Sequence, residues 1–425
     1  VPKSKNADPS ELRAIPLSRI QEKLLAALEG SEEAGVADGV DLAISQGAYH
    51  GASDIHMEPW SDAISLRYRL DGILQQVALI PREYQSKFLA RIKVLADMVV
   101  YRKDVPQDGR IDRDKTSCAR PLRVSTVPTI KGEKVVIRIL GDSQALYTLD
   151  SLGFQPEVVA HMREAIIRSQ GTVLLTGPSS SGKTTTIYAL LREMMTLLKN
   201  TTNIVTVEDP VEYSLDRISQ IQVNPHADFT FATALRAILR QDPEVIVVGE
   251  IRDVETAKMA IQSGLTGHFV ISTIHSGTAS GVFTRLLDMG IEPFLVASSI
   301  TGVLAQRLIR LNCPECISPY KPEPIILQHF GLEGKKDKFF SGKGCDLCKQ
   351  IGFRGRATIG EWLPVDRDIA EFVLSRPTTA SLQAMGIARG METLAKDGLK
   401  KARKGITTLE ELLRVLPTEF DGASQ

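Results

Sequence analysis

Four short apolar runs punctuate the chain after Gly153: Thr172–Thr176, Asn203–Val207, Glu244–Val248 and His268–Ser272. Stretches of helical periodicity separate them. Continuous apolar strands alternating with helices predict a parallel sheet with helices on both faces. Before Gly153 the pattern is different. Ala63–Leu70 alternates apolar and polar positions, Asp71-Gly72 makes a turn, and Ile73–Val77 returns as the second arm of a hairpin. A helix over Tyr84–Met98 and a strand pair over Ala119–Ser125 and Lys134–Leu140 complete a smaller α+β unit. Upstream, Ile20, Leu24, Leu25 and Leu28 recur at helical spacing, as a surface helix or the remnant of an N-terminal module would. The expected organisation is a polar N-terminal segment over 1–39, an α+β domain over 40–149 and an α/β domain over 150–425. A linker is expected over 141–153. Within the last domain, 311–355 is a Cys-, Pro- and Gly-rich insert and 367–415 a helical tail.

The first of the four strands runs into Gly177-Pro178-Ser179-Ser180-Ser181-Gly182-Lys183-Thr184, with Thr185 opening a helix rich in Leu and Met. This is G-x-x-x-x-G-K-[ST] between a strand and a helix, the context that gives the pattern its meaning. Glycines let backbone N–H groups curl around phosphate oxygens, and the helix N-terminus adds its positive end. Lys183 is expected to reach the β- and γ-phosphates of a nucleoside triphosphate, and the Thr184 hydroxyl to ligate Mg²⁺.

Ligands gather at the C-terminal ends of the strands in an open parallel sheet. Two acidic strand ends lie there: Glu208-Asp209-Pro210-Val211-Glu212 and Gly249-Glu250. Glu208 is assigned to the attacking water and Glu250 to the Mg²⁺ shell, although the spacing equally permits the reverse. His275 lies just past the fourth strand, where a γ-phosphate sensor belongs. His268, which opens that strand, reads equally well as a packed or a functional residue. Arg123 and Arg138 in the smaller domain read, on spacing alone, as surface arginines.

Cys313-Pro-Glu-Cys316 and Cys345-Asp-Leu-Cys348 form two C-x₂-C pairs whose types suit a closed Cys₄ site for structural Zn²⁺. Disulfides and a redox pair are the competing readings. Cys118 stands apart as an ordinary thiol. The 425-residue length exceeds one ordinary core, in keeping with two or three domains. Lys and Arg total 51 against 51 Asp and Glu, and this balance, with no basic aromatic run, argues against nucleic acid as a partner. The uncharged stretch Phe294–Ala305 is too short to span a bilayer, and the start, Val1-Pro2-Lys3, has no apolar segment of a secretory signal behind it and no initiator Met.

Several further blocks carry a resemblance. Gly51-Ala-Ser-Asp-Ile-His-Met-Glu58, Arg67-Tyr-Arg-Leu-Asp-Gly72, Pro106-Gln-Asp-Gly-Arg-Ile111, Leu235–Pro243 and Gly249-Glu-Ile-Arg-Asp253 occur in that order, with Thr266-Gly-His268 and Ser272-Thr-Ile-His-Ser276 after them. In this they resemble the type II secretion and type IV pilus assembly ATPases of bacteria, over about Val40 to Val415. The resemblance implies a RecA-like ATPase domain preceded by a PAS-like domain, in a homohexamer at the cytoplasmic face of the inner membrane. It implies an inner-membrane platform protein and a membrane-anchored docking protein as partners. Glu208, Asp209 and Glu212 match the family's Asp box, Glu250 its Walker B box, and His268 and His275 its His box. Arg123 and Arg138 match arginines that reach a neighbour's nucleotide. The tetracysteine insert resembles that of the extension and secretion branch and weighs against retraction. The family's first N-terminal domain is expected to be absent here or reduced to the short segment before Val40. A nucleic-acid motor on the same fold, a pilus retraction ATPase and an ATP-binding scaffold without turnover are the alternatives.

Overall fold

The computed structural model describes residues 15–29, 32–140, 147–198, 201–224, 227–334 and 337–416. The chain divides into two compact units, up to Ala145 and from Leu146 onward.

The first unit runs α1 (Ile20–Leu28), α2 (Glu32–Tyr49), β1 (Asp54–Pro59), β2 (Ala63–Leu70), β3 (Ile73–Pro81), α3 (Gln85–Leu95), β4 (Gln107–Ile111), β5 (Leu122–Thr129) and β6 (Gly132–Ile139). Its strands form an antiparallel sheet in the order β3-β2-β1-β6-β5-β4. Strict alternation on β5 and β6 buries Leu122, Val124, Val135 and Ile137 on one face and exposes Arg123, Ser125 and Arg138 on the other. The helices belong to the buried side: the Tyr68 hydroxyl donates to the Ala43 carbonyl of α2 at 2.7 Å. Ile20, Leu24, Leu28 and Val36 are buried as well. These four side chains are therefore part of this unit's core, and the expected boundary at residue 40 falls inside α2. Residues 1–14 of the expected polar segment lie outside the described residues.

The second unit continues with α4 (Pro156–Ile166), β7 (Gly171–Thr176), α5 (Lys183–Leu197), β8 (Ile204–Glu208), β9 (Ser219–Gln222), α6 (Phe231–Ile238), β10 (Val245–Ile251), α7 (Val254–Leu265), β11 (Phe269–Ile274), α8 (Ala279–Asp288), α9 (Pro293–Ser299) and β12 (Ile300–Asn312). Then come β13 (Ile317–Tyr320), α10 (Pro324–His329), β14 (Phe339–Gly342), β15 (Phe353–Pro364), α11 (Arg367–Leu374), α12 (Thr379–Ala388), α13 (Leu394–Arg403) and α14 (Leu409–Val415). Seven strands form one sheet in the order β15-β12-β7-β11-β10-β8-β9. All neighbours are parallel except β15, which runs antiparallel to β12. The sheet is thus mixed where the apolar runs predicted a parallel one. Phe294–Ala305 comprises all of α9 but its first residue, followed by the start of β12.

Alternate residues of one strand feed two separate cores. Val173 and Leu175 pack with α4 and α5, whereas Leu174 packs with Val248, Val270 and the helices of the other face. That two-sided burial explains why β7 is apolar along its whole length. Of the linker expected over 141–153, residues 141–146 lie outside the described residues. Leu149 and Leu152 form a short turn with their side chains buried in the second unit's core.

Candidate active site

The loop after β7 is shaped by two glycines. Gly177 has φ +152°, and a Cβ there would lie 2.5 Å from the Gln306 carbonyl and 2.6 Å from Ser181 Oγ. Gly182 caps α5 with φ +88°, a left-handed conformation that L side chains rarely adopt. Inside the curl, Lys183 Nζ donates to the Gly177 and Pro178 carbonyls at 2.9 and 3.0 Å. Burial pulls the Lys183 ammonium's pKa below its ordinary value; nearby Glu250 opposes that pull and Arg307 adds to it. Ser181 Oγ is buried without a hydrogen-bond partner among the described residues. A lysine and an orphaned hydroxyl in a loop that no Cβ can enter form a cradle for phosphate oxygens.

The loop opens on a cavity of about 200 Å³, whose walls include Ser179, Lys183, Thr184, Glu208, Asp209, Glu212, Glu250, Arg252 and His275. These residues come from the C-terminal ends of β7, β8, β10 and β11 and the segments just beyond. Glu208 is buried at the end of β8. Glu250 is a charge hub: His275 Nε2 lies 2.8 Å from one oxygen, and the Arg252 guanidinium 2.9 Å from the other. Arg252 also stands 3.7 Å from Asp209, so one cation ties the two acidic strand ends together. Thr184 and Glu250 offer hard oxygen ligands to the same space, the donor type that suits Mg²⁺.

Two sets of expected residues do not join this cavity. His268 stands at the start of β11, the end opposite His275, with Nδ1 3.2 Å from the Ser263 carbonyl. A strand advances about 3.3 Å per residue, so the length of β11 separates the two histidines of the expected His box. Arg123 and Arg138 belong to the first unit, where they are direct cross-strand partners on the exposed face. Arg138 Nε is 2.9 Å from Asp54, and Arg123 is 3.8 Å from Asp108.

Sequence reasoning missed Arg252, Tyr188 and Arg307. Arg252 stands two residues beyond Glu250, and its acidic neighbours were the available signal. Tyr188 sits mid-helix and carries no motif. Arg307, on β12, donates to the Gln306 and Gly277 carbonyls at 2.9 and 2.6 Å, packing beneath the loop from an element the sequence did not reveal.

The four cysteines meet in the insert. Their Sγ atoms all lie within 4.8 Å of one another, with the 313–345, 316–348 and 345–348 pairs at 3.8, 3.8 and 3.7 Å. Thiolates about 2.3 Å from a tetrahedral Zn²⁺ stand about 3.8 Å apart, whereas a disulfide needs about 2.05 Å. The spacing fits the metal and excludes the bond. Burial pushes the Cys348 thiol up, but backbone donors at Cys345 and Gly352 outweigh it and bring it to about 7. Cys118 lies apart from this cluster, half-buried, with Sγ 3.6 Å from the Arg120 carbonyl.

A phosphate loop at the C-terminal edge of a largely parallel sheet, faced by two carboxylates and a histidine, defines a RecA-like P-loop ATPase. The profile of the family described as "Type II/IV secretion system protein" matches residues 29–414. The chain is 45% identical over 391 residues to the type II secretion system ATPase E of Vibrio cholerae, covering 91% of this chain and 76% of that protein. It is 41% identical over 385 residues to the type IV pilus assembly ATPase PilB of Thermus thermophilus, covering 90% of this chain but only 43% of the relative. The chain belongs to the type II/IV secretion system protein family. Among solved structures, the fold is similar to the pilus retraction motor PilT with bound ADP (TM-score 0.59, 24% identity, 88% of this chain and 96% of that one). It is also similar to the Legionella pneumophila ATPase DotB (TM-score 0.65, 19% identity, 88% and 94%).

Proposed function

We propose that this protein is a motor that hydrolyses ATP to drive assembly of a pilus or pseudopilus, as in type IV pilus extension or type II secretion. The observation that carries the reading is the convergence of Lys183, Thr184, Glu208, Glu250 and His275 on one cavity beside the phosphate loop. Lys183 and the backbone of Gly177–Thr185 hold the β- and γ-phosphates. Thr184 and Glu250 hold Mg²⁺, which supplies charge neutralisation on the phosphates. Glu208 orients the attacking water, and His275, fixed on Glu250, senses the γ-phosphate. Asp209 and Arg252 keep the acidic edge in register.

The working form is a homohexamer on the cytoplasmic face of the inner membrane. There it engages a platform protein and a membrane-anchored docking protein. No helix among the described residues is long and apolar enough to cross a membrane, which is compatible with peripheral association. The first unit is the PAS-like domain, and its Arg123 and Arg138 reach the nucleotide of a neighbouring subunit. His268 acts from outside its own subunit's cavity. Cys313, Cys316, Cys345 and Cys348 hold a structural Zn²⁺ that keeps the insert folded. Nucleotide-driven movement between the two units transmits the work.

Replacing Lys183 by Ala is expected to abolish phosphate release; turnover at the unaltered rate would refute the assignment. Mixing Arg138→Ala with Glu250→Gln subunits should restore part of the activity, because some interfaces then carry both intact residues. Absence of rescue would point to a self-contained site.

A further inference from the structure

Glu208 is 5% exposed, yet three separate elements aim hydrogen-bond donors at its carboxylate. Thr206 Oγ1, on its own strand, donates to Oε1 at 2.6 Å, and Gln220 Nε2, from β9, donates to the same oxygen at 3.1 Å. The Tyr188 hydroxyl, from α5, donates to Oε2. Neither distant donor is loosely held. Gln220 also donates to the Tyr213 carbonyl at 3.2 Å and accepts from the Leu215 N–H at 2.6 Å. Tyr188 is 2% exposed, with its ring edge-on to Tyr213 at 4.6 Å between centroids.

An ionised carboxylate has about four acceptor positions, and these donors fill three of them. The one left belongs to Oε2, on a residue that borders the nucleotide cavity. We propose that Tyr188 is a positioning residue, fixing the Glu208 carboxylate so that Oε2 presents a single acceptor to the attacking water. This rests on the reading of Glu208 as the group that orients that water. The arrangement suits phosphoryl transfer, where placing the nucleophile matters more than removing its proton early. It also gives α5, whose N-terminus carries the phosphate loop, a second duty one turn further along. The same helix sets the position of the phosphates and that of the group facing them.

The test compares steady-state ATP hydrolysis by the full chain in four forms: unaltered, Tyr188→Phe, Glu208→Gln and the double variant. Fluorescent-nucleotide titration and thermal melting accompany each. Tyr188→Phe should lower kcat about 10- to 100-fold, the range expected for one hydrogen bond to a charged group, with nucleotide affinity changed less than about twofold. On the Glu208→Gln background the same change should cost less than about twofold, because a residue that acts through Glu208 has nothing left to act on. Thr206→Val, which removes a donor from the other oxygen, should show the same loss of additivity, and it carries the test if Tyr188→Phe fails to fold. A normal kcat for Tyr188→Phe beside a slow Glu208→Gln would overturn this proposal and leave the reading of Glu208 standing. Equal slowing on both backgrounds would make Tyr188 a packing residue and overturn it too. Full turnover by Glu208→Gln would remove the reading of Glu208 and the proposal together.

Discussion

Glu411 on α14 is fully buried, and its carboxylate gathers five donors. Arg310 on β12 contributes its backbone N–H at 2.9 Å, Nε at 2.8 Å and Nη2 at 2.5 Å; Arg414 adds Nε at 2.8 Å and Nη2 at 2.7 Å. The Arg310 guanidinium is held from its other side by the Phe353 ring, 4.2 Å away. Glu411→Gln keeps the shape but turns an NH₂ toward donors and leaves the Arg310 charge without a partner at 11% side-chain exposure. Breaking a buried pair from one side costs about 3–5 kcal/mol. For a unit of this size that is about 6–20 °C in melting temperature. Thermal melting by circular dichroism at neutral pH provides the measurement. Burial raises the Glu411 pKa, but Arg414 and Arg310 outweigh it and hold the carboxyl below its ordinary value. A depressed carboxylate contributes stability above the unfolded pKa of about 4.3, and that contribution is lost as pH falls through the folded value. The gap between the parent and Glu411→Gln should therefore be full at pH 7 and close progressively below about pH 4.3. A loss under about 2 °C, or a gap unchanged down to pH 3, would refute the reasoning.

Other outcomes follow from single contacts. Gly177→Ala should weaken ATP binding at least about tenfold, because its methyl meets the Gln306 carbonyl at 2.5 Å in a phosphate-holding loop; equal affinity by calorimetry would contradict the cradle. Cys345→Ser, or a strong chelator, should release bound zinc measured by elemental analysis and expose 311–355 to protease, and protein purified without zinc yet equally resistant would count against a metal. Gly302→Ala should cost about 1–3 kcal/mol by overpacking, since its methyl would stand 2.2 Å from Trp362 Cζ2. An unchanged melting temperature would show that the indole has room to yield.

Local chemistry was readable in the chain before any folding. Gly177–Thr184 announces a phosphate cradle because its glycines, lysine and threonine act within one turn of backbone. Val245–Val248 announces a buried strand because both of its faces are covered. The two C-x₂-C pairs carry their ligand types with them, and the folded chain supplies only the 3.7–3.8 Å spacing that separates metal from disulfide. Glu208, Glu250 and His275 could be singled out in the chain because each stands at or beside the end of a strand, and parallel strands end on one side, where the three line one cavity.

Partnership across the sequence was not readable. Glu361 accepts from the Ala279 N–H at 2.9 Å, and Glu411 pairs with Arg310 across 101 positions; no spacing rule links such residues. His268 and His275, which the resemblance assigns to one His box, stand at opposite ends of β11, because an extended strand carries the chain straight across the sheet. β12 was hidden because its charged and polar residues, Gln306, Arg307 and Arg310, interrupt the apolar pattern. They are tolerated there because carbonyls and carboxylates from distant segments receive them. The sequence alone determined which chemistry is present and which strands carry it. The tertiary structure decided which charge answers which and that Glu208 is held by three donors, because those contacts exist only once β8, β9 and α5 lie side by side.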